Sequence, residues 1–554
     1  MSALTSPIRS ITGFVDPKLA GKADRFFDQS LRSIAIELLQ NSRRAGARNV
    51  AVVATPLGEG VFTVVVRDDG RGLEDPAKLV GLGSSDWDSL TEAVEDPAGC
   101  GFFALCAHGA TVRSRDWEVV LTRATFLGKE SVPVLPAAPI EGFEITFTLR
   151  DIPHTTENNI RHAIQAASRF GALNVSFNGT PLERQDFFED VLLTKDYHGV
   201  RIGVFAGRRD GGFNFHGMVV GGPSRDTIQN GEEVFSVNFD VLEASRLRLT
   251  LPQRDRVVQN EFYTALLAES RRAIYEHIAT LPSHSLSFAS YQEARSLGVK
   301  LNESAALMPS YVPDSGCPRN QSYEKAKALP KHPLICDIVD RGIGQAIAWA
   351  AGLNPETFKF SLLDGGHDHA GYQWYDALPH ITEARFVIDG KVQDEDRSER
   401  FDPMGKIPAS LAIRLTIEQK GVETKAIELP TNLIIPACDS GDSVEFLIPH
   451  DNPFKDKRAQ DGLFDILEEV FFEYDDNGDS YDSQYEDFQR DLRTTLTQMF
   501  GGRKQAALQN LQDAVDDVGT DLEEAGLKDI RLKLVGGRWE VVDMTPKKGK
   551  ARKK

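Results

Sequence analysis

The segment NVAVVATPLGEGVFTVVVRD, residues 49–68, constrains the fold of this chain more than any other. Two β-branched runs flank a short Gly-containing turn, the pattern of a β-hairpin. A connection this short joins strands antiparallel, because parallel neighbours need a crossover of a dozen residues or more. A helix is predicted ahead of the hairpin, over residues 24–45. TVRSR from Thr111, EVVLTRAT from Glu118 and FEITFTLR from Phe143 read as further strands. The order predicts an α+β domain over residues 1–150, with helices packed on a mostly antiparallel sheet, and not the βαβ alternation of a doubly wound fold.

At 554 residues the chain is too long for one hydrophobic core. A second α+β unit is predicted over 151–285. ALNVSFNGTPL carries an Asn-Gly turn, VRIGVFAG and FHGMVVGG read as strands, and EFYTALLAESRRAIYEHIATL reads as a strong helix. Residues 286–335 are rich in Ser, Pro and polar residues and read as a linker. Residues 336–460 read as an α/β region, and 461–554 as helical around the acidic run YDDNGDSYDSQYED, ending on a basic tail.

A net charge of -19 argues against a general nucleic-acid surface, because a phosphate backbone repels it. The five cysteines have no CxxC spacing, which fits a reducing, cytoplasmic setting. No apolar run approaches the ~18 residues of a membrane span.

The candidate chemistry begins in IELLQNSRRAGA, residues 36–47. Glu37 and Asn41 stand four residues apart, one above the other on a helix, with Arg44 next on that side. An amide oxygen is a good Mg²⁺ ligand, and a carboxylate one turn away can orient or deprotonate an attacking water. Asp68, Gly70 and Gly72 then form D-x-G-x-G at a strand end. There a carboxylate can accept from the exocyclic amine of adenine, while glycines let the backbone approach a flat base. LVGLGSSDW, with Gly83, Ser84 and Ser85, has the composition of a lid. Gly99, Gly101 and Phe102 in GCGFFAL are predicted to open a helix whose free N–H groups face phosphates.

In this order and spacing, these segments resemble the GHKL ATPase superfamily (Hsp90, MutL, gyrase B subunits, histidine kinases), whose nucleotide site is the Bergerat fold. ELLQNSRRAGA matches the N box, DDGRG and GCGFFAL the two glycine boxes, and GSSD the lid signature. The resemblance implies ATP and Mg²⁺ as cofactors, Glu37 as general base, Asn41 as the Mg²⁺ ligand and Asp68 as the adenine contact. No His precedes the N box, which sets the histidine kinases aside. LRLTLPQRDRVVQNEFYTALL from Leu247 resembles the Hsp90 middle-domain segment whose arginine reaches the terminal phosphate, placing Arg254 in that role. Residues 151–285 likewise resemble the S5-like transducer domain. The resemblance implies a nucleotide-gated clamp, a homodimer and an unidentified protein client. The alternatives are an ATP-binding switch with negligible hydrolysis and a topoisomerase-B-like subunit needing a partner. Two departures stand out: Arg44-Ala45 where many members have Asp-Ala, and Gly142-Phe143 where Gly-Thr is usual. Arg44 has three readings: paired with Glu37, paired with a phosphate, or solvent-facing. Arg254 has a plainer alternative, pairing with Asp255.

Two lesser patterns remain. Asp475, Asn477, Asp479 and Glu486 fall at EF-hand positions, so Ca²⁺ stands against a solvated acidic loop. Ser480 and Asp482 depart from that pattern. His367 and His369, with Asp364 and Asp368 close by, set a metal site against a polar loop.

Overall fold

The computed structural model describes residues 30–81, 101–150, 155–209, 212–221, 227–243, 246–251, 254–313, 325–338, 340–393, 407–434, 446–454, 462–468 and 527–546, with single residues between 87 and 97 and between 485 and 524. The chain divides into two compact units, Met1–Ala305 and Ala306–Lys554. The whole is a mixed α+β, multi-sheet architecture. Among the described residues no helix is long and apolar enough to cross a membrane.

Among the described residues the first unit holds two six-stranded sheets. In the first, β1 (Asn49–Gly58) and β2 (Val61–Asp68) form the predicted hairpin. Their alternation turns Val50, Val52, Ala54, Phe62, Val64 and Val66 inward, against Ile34, Ala35, Leu38 and Leu39 of α1 (Leu31–Arg44). Ser30 caps α1 by accepting from the Ser33 amide. TVRSR and EVVLTRAT are not two strands. TVRSR and the EVVL of the second lie in one long strand, β3 (Ala110–Leu121), while Thr122 caps a short helix at Arg123–Phe126. The pairing of β3 with β4 (Val134–Leu149) shifts register at Arg115, a residue with φ 52°. The bend at this bulge reads in the sequence as a break.

The domain does not stop at residue 150. Helix α2 (Glu157–Ser168) crosses back and β5 (Asn174–Phe177) pairs parallel with β1, giving the order β3-β4-β2-β1-β5-β6, with β6 at Thr180–Pro181. The Asn-Gly hairpin predicted for the second unit is therefore the edge of the first sheet. Leu173, Val175, Phe177 and Leu182 belong to its core.

The second sheet comprises β7 (Leu193–Tyr197), β8 (Val200–Ala206), β9 (Gly212–Phe215), β10 (Met218–Gly221), β11 (Ile228–Asn230) and β12 (Glu233–Val241). The long helix α3 (Glu261–Ile278) packs on it through Leu266, Ala273 and Ile274. The predicted linker also carries structure. Within it α4 (Phe288–Ser296) buries Tyr291 and Ala294, and Leu286, Ala294 and Val299 join the core of the second sheet.

In the second unit, β13 (Leu307–Met308) pairs with β14 (Lys327–Ala328). β15 (Pro333–Cys336), β16 (Ser361–Asp364), β17 (His380–Ile388), β18 (Lys391–Val392), β19 (Leu411–Glu418) and β20 (Lys425–Thr431) make a mixed sheet covered by α5 (Arg341–Leu353). β21 (Leu527–Val535) and β22 (Arg538–Pro546) form a separate hairpin.

Candidate functional site

Helix α1 carries half of the candidate site. Glu37, Asn41 and Arg44 face one cavity of the first unit, and Glu37 is buried. The carboxylate rests on the backbone of Gly101: a Cβ there would lie 1.9 Å from Glu37 Oε2. Gly101 opens a five-residue 3₁₀ turn, Gly101–Leu105, and not the predicted helix. Phe103, Ala104 and Leu105 are buried, and Gly109, at φ 66° with its amide bonded to the Leu105 carbonyl, closes the segment. Gly101 is thus explained by its contact with Glu37, without appeal to a helix N-terminus.

Asp68 ends β2 and is buried beneath a set of donors. Ser42 Oγ donates to its Oδ2 at 2.7 Å and the Gly70 amide to its Oδ1 at 3.0 Å. Burial pushes the Asp68 carboxyl up, opposed by these bonds and by one from the Phe143 backbone. The two following glycines are required by packing. A Cβ on Gly70 would meet Ala45 at 2.9 Å, and one on Gly72, at φ 70°, would meet Ser114 Oγ at 2.6 Å. The Asp-Gly turn is in this way wedged between the end of α1 and β3.

Three arginines gather around Glu95. Arg43 Nη1 donates to Glu95 Oε1 at 3.0 Å and its Nη2 to Oε2, and Arg44 Nε donates to Oε2 at 2.9 Å. Arg254 Nη2 donates to the Glu95 backbone oxygen at 3.3 Å. Burial works to raise the Glu95 carboxyl, but the bonds and charges of Arg43 and Arg44 outweigh it and hold it below the usual range. Arg44 is neither solvent-facing nor bonded to Glu37. Burial lowers its pKa, as does the charge of Arg254, while Glu37 and Glu95 oppose.

Arg254 sits at the tip of a tight loop in which its amide bonds the Thr250 carbonyl and the Thr250 amide bonds Arg256. Its φ of 56° is unusual for a non-glycine residue, and it is 6% exposed. It does not pair with Asp255, which accepts from Thr250 Oγ1 at 3.2 Å and lies 3.7 Å from Arg256. The Arg254 Nε is buried and has no hydrogen-bond partner among the described residues.

One cavity brings together Glu37, Asn41, Asp68, Gly72, Gly101, Phe102 and Arg254. Val66, Leu79, Phe143 and Ile145 contribute an apolar wall, and Arg44, Arg71, Lys78 and Trp87 also line it. Gly70 supports Asp68 from behind. Gly83, Ser84, Ser85 and Gly99 lie outside the described residues. Glu95 and Ser42 are absent from the sequence-derived set, and Phe143 enters it only as a departure from the usual Gly-Thr. Ser42 adjoins Asn41 and Phe143 follows Gly142, but Glu95 has no local signal, because its partners are about fifty residues away.

Asn41 does not fit the Mg²⁺ role as its side chain stands. Its Oδ1 accepts from Arg44 Nη1 at 3.3 Å, so a guanidinium lies against the oxygen that the metal would need. A compact dication there would face the fixed charges of Arg44 and Arg254.

The remaining candidates are in the second unit. His367–His369 is a short 3₁₀ turn, with the His369 ring 5.4 Å from Trp374 and 6.1 Å from Tyr375. His369 packs on these rings, while Asp364, Gly366, Asp368 and Ala370 are exposed, as in a polar loop. Among the described residues no three His, Cys, Asp or Glu side chains converge as a metal site. Asp475, Asn477 and Asp479 lie outside the described residues, and Glu486 is exposed.

No protein-family profile matches the chain, and no curated protein matches it. A solved structure titled "Crystal Structure of N terminal domain of a DNA repair protein" is similar to 46% of this chain and 98% of its own length, at 12% identity and a TM-score of 0.29.

Proposed function

We propose that the first unit binds ATP in the Glu37–Asp68 cavity and that nucleotide binding governs a conformational clamp of the Hsp90/MutL kind. The observation that carries this reading is Arg254. A buried arginine from the loop after β12 lines the same cavity as Glu37 of α1 and Asp68 of β2. Adenine would stack against the apolar wall, with its exocyclic amine donating to Asp68. The phosphates would run toward Arg254, whose fork can hold a terminal phosphate bidentately.

In hydrolysis, a water oxygen attacks the terminal phosphorus and its proton passes to Glu37. The phosphorus–oxygen bond to ADP breaks, and the bond electrons leave with ADP. Glu37 is suited to this because Gly101 holds its carboxylate in the cavity. Arg254 would stabilise charge on the transferring group. Dimerisation and a protein client are part of the proposal through the resemblance to clamp ATPases.

A second reading, a switch that binds ATP and hydrolyses it negligibly, is favoured by Arg44, a cation beside the site of the attacking water. Steady-state phosphate release separates the two. The clamp ATPase predicts release by wild type that Glu37→Ala abolishes, and the switch predicts equal background for both.

A further inference from the structure

We propose that this site takes nucleotide phosphates directly on Arg44 and Arg254, so that the ligand is the metal-free nucleoside triphosphate and not its Mg²⁺ complex. The inference rests on the nucleotide reading above. Its first ground is Asn41. The only amide oxygen on the Glu37 side of α1 is already the acceptor of a guanidinium that is 3% exposed and cannot be deprotonated. The second ground is the Arg254 Nε, a buried charged donor with no acceptor among the described residues, lining the same cavity. An unsatisfied donor of this kind is costly unless a ligand supplies the acceptor, and phosphate oxygens are that acceptor.

The third ground is charge. Among the described residues, the cavity wall sets Arg44 and Arg254 against two carboxylates, Glu37 and Asp68, with Arg71 and Lys78 also on the lining. One of these, Asp68, is already committed to Ser42 and Gly70. Phosphates need counter-charge, and Arg44 and Arg254 offer what a metal would otherwise bring to them. The Arg44 Nε now donates to the Glu95 carboxylate, an anion that a phosphate oxygen can replace at the same fork.

The test is calorimetric titration of the full chain with ATP, once in EDTA and once in excess Mg²⁺, with adenosine as a control. The proposal expects affinity in EDTA equal to or tighter than in Mg²⁺. It also expects Arg44→Ala to weaken ATP in EDTA by tenfold or more while leaving adenosine unchanged. Arg44→Asp, which sets a carboxylate beside Asn41, should make binding depend on Mg²⁺. Binding by wild type in Mg²⁺ that disappears in EDTA overturns the proposal and leaves the nucleotide reading intact. Absence of ATP and adenosine binding under both conditions overturns the two together. The wild-type comparison needs no variant, so a misfolded Arg44 substitution does not decide the outcome.

Discussion

Arg254 donates to the backbone oxygen of Glu95, a residue 159 positions earlier in the chain, whose carboxylate is held by Arg43 and Arg44 of α1. The loop after the second sheet thereby touches the arginine-rich end of the candidate site through one shared acidic residue. Removing Arg254 should leave ADP affinity near wild type, because ADP lacks the third phosphate. A charge-assisted hydrogen bond contributes roughly 1.5–3 kcal/mol, so Arg254→Ala should weaken ATP by about ten- to a hundredfold. Turnover should fall with it. Arg254→Lys should recover little, since a point charge cannot reproduce the guanidinium fork. Paired ATP and ADP titrations and phosphate release for the three proteins check this, and unchanged turnover in Arg254→Ala contradicts it.

Gly101 supplies an independent check on Glu37. A methyl group at Gly101 would fall within 2 Å of the Glu37 carboxylate, at 1.9 Å from Oε2, so the carboxylate must move. Gly101→Ala should lower turnover by about tenfold or more, toward the Glu37→Ala level, in keeping with the contribution of a positioned base. ATP affinity should change less. Equal turnover in wild type and Gly101→Ala would show that Glu37 does not act from the position seen.

The elements that were legible in the sequence are those whose signal is local. The β1–β2 hairpin and α1 follow from β-branched alternation and helical spacing, and the Asp-Gly turn from its glycines. What escaped depends on partners far along the chain. β5 joins the first sheet by pairing with β1 across about 125 residues, which no periodicity reports, so the domain extends past 150. Arg44 stands on the predicted face of α1, but its partner Glu95 lies 51 positions away. The backbone bend at Arg115 made one strand read as two.

His216 gives a prediction for pH. His216 is half-buried, with its buried Nε2 unpartnered among the described residues, and burial together with the charge of Arg43 lowers its pKa to about 4. The folded state therefore binds the proton more weakly than the unfolded chain, whose histidine titrates near ~6.5. Stability is fully present above that value and is lost as pH falls toward 4, by on the order of 3 kcal/mol. Glu95, whose carboxyl is also held low, adds a further loss at more acidic pH. Thermal unfolding from pH 7 to pH 4 should show a falling midpoint, with a smaller fall in His216→Asn between 6.5 and 4. A His216 ring that titrates near 6.5 by NMR in the folded protein contradicts the assignment.

The central claim is that Asp68 anchors a nucleotide, and calorimetric titration of ATP into wild type and Asp68→Asn tests it most directly. Asp68 Oδ1 and Oδ2 are fixed by Gly70 and Ser42, so an amide must turn its NH₂ toward one of two donors or toward the adenine amine. Leaving a buried donor facing a donor costs roughly 1–3 kcal/mol, which predicts ATP binding by wild type and a loss of about five- to a hundredfold in the variant. Equal ATP affinity for the two proteins, or no binding by wild type, would contradict the account.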